Sequence, residues 1–277
     1  MHRSHREGPA ERRIRLALLF FGALGCSAGT GERPPTAEHG LATRPQPRPI
    51  APELRPVLRA LEEQRFGACR ALAQEHLAAH PQDPQALYLL GMSHYLTGNY
   101  GAARPWLVQT LEADPELEVA REPLAYSLLL LGELGGARRE YEAYVAAVPG
   151  DPKGHYGLGL IELEEARLDV AAERFRRAIE LFDELGRSDA RQAATRQAEF
   201  AECHARLGEV HFARGEYQAA RAELLRATEI APGNISAFYT LSLVHRRLGE
   251  EALAVQAVGR YESARQALLA QQRAGQE

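Results

Sequence analysis

An all-α fold, a solenoid of about six helical hairpins, is predicted by three observations. Small residues return every 34 positions in one column, Cys69, Ala103, Ala137 and Ala171, and then Ala220 and Ala254. The one longer step, from Ala171 to Ala220, is 49 residues, a repeat plus a 15-residue insertion. A second column, Pro81, Pro115 and Pro149, keeps the step, and Pro232 stands where repeat plus insertion puts it. Composition agrees: 45% of the chain is hydrophobic, 25% charged and only 7% aromatic, with helix formers dominant, which supports a packed core and gives strands little.

Each column has a cause. Small residues let two helices approach, bulky ones fill the space between hairpins, and proline cannot continue a helix. The first repeat, 50–83, keeps phase through Phe66, Cys69, Leu77 and Pro81, although Val57 replaces a small residue and Pro56 disturbs its first helix. Repeat 84–117 is the clearest, with Leu87, Leu90, Gly91, Gly98, Tyr100, Ala103, Leu107 and Pro115. Repeat 118–151 holds Leu124, Ala125, Gly132, Leu134, Ala137, Tyr141 and Pro149.

Repeat 152–185 holds Leu158, Gly159, Leu168, Ala171, Phe175 and Ala178, but Asp183 stands where proline would. Its second helix is therefore expected to run on to Leu185 and stop at a left-handed Gly186. Ser188 and Asp189 are then expected to cap a long helix through 191–200, making the insertion 186–200 an elongated helical hairpin. Repeats 201–234 and 235–268 return to phase through Leu207, Gly208, Ala220, Leu224, Pro232, Leu241, Gly249, Ala254 and Val258. A tail, 269–277, follows.

On these residues the chain resembles the tetratricopeptide-repeat superfamily over 50–268, which implies a right-handed superhelix. The small residues Gly91, Ala103, Ala137, Gly159, Ala171, Gly208, Ala220 and Ala254 are its structural positions. In that superfamily the first helices line a concave surface through the second, fifth, ninth, twelfth and thirteenth places of each repeat. Carried over, this gives Tyr88, Met92, Tyr95, Tyr126, Leu129, Tyr156, Leu160, Phe212 and Tyr239 as an aromatic and aliphatic partner-binding groove. Such a groove suits an apolar helix or extended segment anchored by tyrosines. The Lys/Asn/Arg set of the chaperone-binding carboxylate clamp is missing.

Before the repeats, residues 1–15 hold five arginines against Glu7 and Glu11, a charge of +3, and residues 16–25 are uncharged and apolar. Ten apolar residues are too short to span a bilayer, so 1–25 reads as a signal segment. Gly22-Ala23-Leu24-Gly25-Cys26 resembles a bacterial lipobox, which implies a chain lipidated at Cys26 and tethered to a membrane. By the same resemblance, Ser27 after the cysteine implies the outer membrane, facing the periplasm; cleavage near Ala28 without a lipid and a chance apolar stretch in a cytoplasmic protein are the alternatives. The proline-rich stretch 26–49 reads as an extended linker.

Net charge is −4 overall and about −7 beyond the leader, and Lys153 is the one lysine, so a basic surface for nucleic acid is not expected. No CxxCH, HExxH, GxSxG or GxxxxGK motif occurs, and the repeats leave no room for a catalytic domain. No cofactor is expected. His94, His211 and His245 share one repeat position, for which packing is expected rather than metal binding. In the last helix, about 252–272, the stripe Leu253, Ala257, Tyr261, Ala264 and Leu268 offers a cap or a homodimer surface.

The expected function is a non-enzymatic, membrane-tethered adaptor that holds or assembles envelope proteins. Its layout is similar to that of outer-membrane lipoproteins assisting type IV pilus secretins. An accessory subunit recruiting an envelope hydrolase or protease is the second reading.

Overall fold

The computed structural model describes residues 49–274, with side chains to residue 270, so Cys26, the apolar stretch before it and the linker to residue 48 lie outside the described residues. The described residues form helices and turns and no strand. After a 3-10 turn at Pro52–Leu54 come α1 Arg55–Glu62, α2 Phe66–Ala79, α3 Pro84–Leu96, α4 Tyr100–Ala113, α5 Arg121–Leu130, α6 Leu134–Ala147 and α7 Pro152–Glu164. Then follow α8 Leu168–Ser188, α9 Ala190–Thr195, α10 Gln197–Ala213, α11 Tyr217–Ile230, α12 Ile235–Arg247 and α13 Glu251–Ala274. They form two compact units, and the boundary, Gly157 to Leu158, falls inside α7.

In the first unit α1 packs on α2, α3 on α4 and α5 on α6, and α2 and α4 each also meet the first helix of the next hairpin. In the second, α8 packs on α10, α10 on α11, α11 on α12 and α12 on α13. The 34-residue columns are the contacts that allow this. Cys69, Ala103, Ala137, Ala171, Ala220 and Ala254 are all wholly buried. Opposite them, a small residue on the first helix receives a large one from the second. A methyl group on Gly91 would stand 3.0 Å from Leu107, one on Gly159 2.7 Å from Phe175, and one on Gly208 2.6 Å from Leu224. These three glycines are required by closeness of approach.

One turn repeats in both units. Gly98 N–H donates to the Tyr95 carbonyl and Asn99 N–H to that of His94, a Schellman stop with Gly98 left-handed at φ 73°. The same pair of bonds closes the first helix at Gln64, Gly132, Ala166, Gly215 and Gly249, all with positive φ. Two of these six places therefore carry a side chain where glycine is easiest, Gln64 at φ 56° and Ala166 at φ 58°. The next first helix is capped by the last residue of the preceding repeat: Asp83 accepts from Gln85 and Ala86, Asp151 from Lys153, and Asn234 from Ala237.

The insertion departs from expectation at Gly186, which lies inside α8 instead of ending it. The helix runs one turn past the place where a proline would have stood and stops at Ser188. Asp189 accepts from Gln192 N–H and caps α9, whereas the Ser188 hydroxyl turns back to the Leu185 carbonyl. The long helix expected through 191–200 is broken at Arg196, whose guanidinium binds Glu199 and lies 5.1 Å from the Phe182 ring centre.

Candidate protein-interaction face

The residues expected to line a groove separate into a buried floor and a more open rim. In the first unit, Tyr88, Met92 and Tyr95 lie along one side of α3, at intervals that bring side chains to one helical face. All three are half-buried. Tyr126 and Leu129 of α5 are 1% and 6% exposed, and Tyr156 of α7 is 5% exposed. As anchors for an incoming chain these three are corrected: they belong to the packing beneath the face.

The cause is an aromatic cluster. Tyr95, Tyr100 and Tyr126 meet edge to face, with ring centres 5.8 to 6.0 Å apart, geometry that favours tyrosine packing by about 0.5–1.5 kcal/mol per pair. Tyr141 of α6 is likewise buried, its ring seated where Gly157 has no side chain. Tyr100 and Tyr141 open and fill second helices in the repeat pattern, so sequence phase alone did not mark them as neighbours of the face.

One residue of the face was missed. Glu122 stands in the first turn of α5, 34 residues after Tyr88 and 34 before Tyr156, so it holds the fifth place of its repeat as they do. Phase alone could have found it. Burial pushes the hydroxyl of Tyr88 up to about 12, and the Glu122 carboxylate adds to the shift. Tyr95 and Tyr141 are raised well above their ordinary value by burial and then by the same carboxylate. All three tyrosines are therefore neutral over the ordinary pH range.

The second unit is different. Leu160 is 4% exposed and belongs to the core, while Phe212 is half-buried against Tyr217, ring centres 5.7 Å apart. Tyr239 is 38% exposed and pairs with Tyr261 of α13 at 5.7 Å. Along α10 runs a buried polar row that the apolar reading did not anticipate. Arg206 binds Glu202 at 2.6 Å and Glu209 at 2.8 Å, and Glu202 also accepts from Asn234 and Ser236. These charge-assisted bonds tie α10 to α12 beside an apolar cluster that holds Ala205 of α10 with Ala237 and Leu241 of α12.

Two of the three histidines at one repeat position, His211 and His245, prove to be staples. His211 meets Glu216 at 2.5 Å and His245 meets Glu250 at 2.6 Å, each beside the Schellman turn. Glu162 and Arg167 occupy the same two places with the charges exchanged, at 2.5 Å. No group of three metal-ligating side chains able to hold an ion occurs among the described residues. Cys69 and Cys203 are buried free thiols, and burial raises Cys69 to about 11. In α13 the packed stripe begins at Ala254 and Ala257; Leu253 is 44% exposed and lies off it. No helix among the described residues is long and apolar enough to cross a membrane.

Comparison with known proteins places the fold. No curated protein matches the chain in sequence. A crystal structure of the APC/C hetero-tetramer Cut9–Hcn1 superposes with a TM-score of 0.64 at 16% identity, over 76% of this chain and 39% of that one, so the chain spans well under half of it. PilW, described as a widely conserved type IV pilus biogenesis factor, gives a TM-score of 0.56 at 18% identity, over 67% and 79% of the two chains. MamA from Desulfovibrio magneticus RS-1 gives 0.53 at 22% identity, over 64% and 92%. Likeness at this identity shows the fold alone. Two family models, both described as tetratricopeptide repeat, match in sequence, one over 57–118 and 123–185 and the other over 169–242. The chain therefore belongs to the tetratricopeptide-repeat superfamily, as its 34-residue columns and stacked helical hairpins require.

Proposed function

We propose that the chain is a non-catalytic scaffold tethered to the bacterial envelope by a lipid on Cys26, where it holds or assembles protein partners. Membership of a repeat family built for protein interaction supports the scaffold reading. The observation that carries it is the α3 face, where Tyr88, Met92 and Tyr95 are half-buried beside the buried Tyr126 and Leu129. Aromatic rings on a packed floor lose little side-chain entropy on binding, and the flexible thioether of Met92 can adapt to a partner's shape, which is what a docking face needs. The basic leader, the apolar stretch 16–25 and the small residue before Cys26 support the tether.

The fold likeness to PilW makes a pilus-assembly component the first partner to test, ahead of an envelope hydrolase or protease. Crosslinked affinity purification from envelopes, comparing wild type with a Tyr88→Ala/Met92→Ala variant, tests the face while sparing the buried tyrosines. Loss of one dominant partner with unchanged helicity is expected; an identical partner set rejects the face. Palmitate incorporation into wild type and its loss in Cys26→Ala test the tether, and an unlabelled wild type rejects it. Half-buried Tyr261, Ala264 and Leu268, on one stripe of α13, favour self-association as a second use of the array, which sedimentation of the purified chain decides.

A further inference from the structure

Gln85, in the first turn of α3, opens the side of that helix that Tyr88, Met92 and Tyr95 continue, since steps of three and four residues keep side chains on one face. Its side chain is already engaged. Gln85 Nε2 donates to the Pro49 carbonyl at 3.1 Å, and Gln85 Oε1 accepts from Ala51 N–H at 2.9 Å, so one amide grips an extended backbone at two points. Ala51 has φ −53° and ψ 139°, close to polyproline II values. Ile50, between the two gripped residues, packs against the apolar cluster that Tyr88 also borders. The chain leading into α1 is thus held as a docked peptide would be, at one end of the tyrosine stripe. Immediately before Pro49 the sequence is Arg44-Pro45-Gln46-Pro47-Arg48.

We propose that this segment, residues 44–48, is the resident occupant of the α3 face. It lies along Tyr88, Met92 and Tyr95, and a protein partner binds by displacing it. The inference rests on the docking reading of that face and adds its regulation.

Shape, length, charge and attachment all fit. Alternating prolines favour polyproline II, and aromatic-lined surfaces take such segments at low entropic cost because the shape is preformed. At about 3.1 Å per residue, five residues cover about 15 Å, which is also the rise of α3 from Gln85 to Tyr95 at about 1.5 Å per residue. Residues 39–48 hold Arg44 and Arg48 and no acidic residue, α3 carries no lysine or arginine, and beyond the leader the chain is about −7. A segment joined through Pro49 to a backbone fixed on Gln85 meets the face at an effective concentration of about millimolar, so contacts too weak to hold a free peptide suffice.

The test uses the full chain with the photocrosslinker p-benzoylphenylalanine replacing Gln46, a position before the repeats, and maps the products by mass spectrometry. Mixing isotopically heavy and light chains separates products within one chain from those between copies. A within-chain product on the α3 stretch 85–96, Met92 foremost, is expected, in a share that does not change with protein concentration. Pro45→Gly/Pro47→Gly, which removes the preformed shape and leaves every helix intact, is expected to lose most of it and to recover more of the dominant partner than wild type does. Tyr88→Ala is expected to reduce the product as well. Products spread over the array, or none on α3, overturn the proposal, and products joining heavy to light chains overturn it in favour of a second copy. Equal partner recovery by wild type and Pro45→Gly/Pro47→Gly overturns displacement. Where no α3 product forms but Tyr88→Ala/Met92→Ala still loses its partner, the docking face stands without a resident segment. An α3 product with an unchanged partner set rejects the docking reading, and displacement with it.

Discussion

His245 Nδ1 lies 2.6 Å from Glu250 Oε2, so the last turn of α12 is tied by side chains to the residue that precedes α13. The backbone bond from Glu250 N–H to the His245 carbonyl runs beside it, and Arg221 reaches the other carboxylate oxygen from α11. The hydrogen bond from His245 holds the Glu250 carboxyl below its usual 4.5, with Arg221 adding to it against the cost of desolvation. A group lowered in the folded state contributes stability that is complete above its unfolded value and is lost as pH falls through the lowered one. Glu250→Gln is therefore expected to unfold at lower urea than wild type at pH 7, with the gap closing below about pH 4. A gap unchanged between pH 7 and pH 3 sinks this.

Backbone strain at two turns gives a second prediction. Gln64 and Ala166 hold the left-handed place that glycine fills at Gly98, Gly132, Gly215 and Gly249. Gln64→Gly and Ala166→Gly are each expected to stabilise the chain by about 1 kcal/mol, and Gly98→Ala to cost a similar amount. Urea midpoints measured on the same preparation decide it, and a loss on introducing glycine at Ala166 goes against the strain account.

Helix approach gives a third. A methyl group at Gly208 would stand 2.6 Å from Leu224 Cγ, whereas one at Gly259 in α13 meets nothing within 4 Å. Gly208→Ala is expected to destabilise by about 1–3 kcal/mol through overpacking. Gly259→Ala is expected to gain about 0.5–1 kcal/mol, the ordinary benefit of alanine inside a helix. Thermal unfolding of the two variants should move in opposite directions.

The aromatic cluster separates folding from docking. Tyr126→Ala removes a ring that is 1% exposed and is expected to cost about 3 kcal/mol or more, as for other large buried side chains. Tyr88→Ala, at the half-open rim, is expected to cost less and to act on partner binding instead. Comparable losses of stability in both would place Tyr88 in the floor with Tyr126.

The architecture was legible because its rules are periodic. A column such as Ala103 and Ala137 records a distance between helices, and distance recurs with the repeat. The groove was harder, since repeat phase gives the direction of a side chain and says nothing of what arrives from the neighbouring helix. Tyr126 points as phase predicts, yet Tyr95 and Tyr100 cover it. Gly186 misled for a local reason: glycine is permitted in a left-handed stop but does not impose one, and α8 runs through it.

The Schellman stops have a consequence for how the chain is made. Each is closed by backbone bonds within a few residues of the turn, so a hairpin is defined by what it already contains. As the chain is made, each turn can therefore form from residues already present, while the apolar face of its hairpin stays uncovered until a neighbouring hairpin packs on it. Shape at the turns is local, and stability is shared between neighbours.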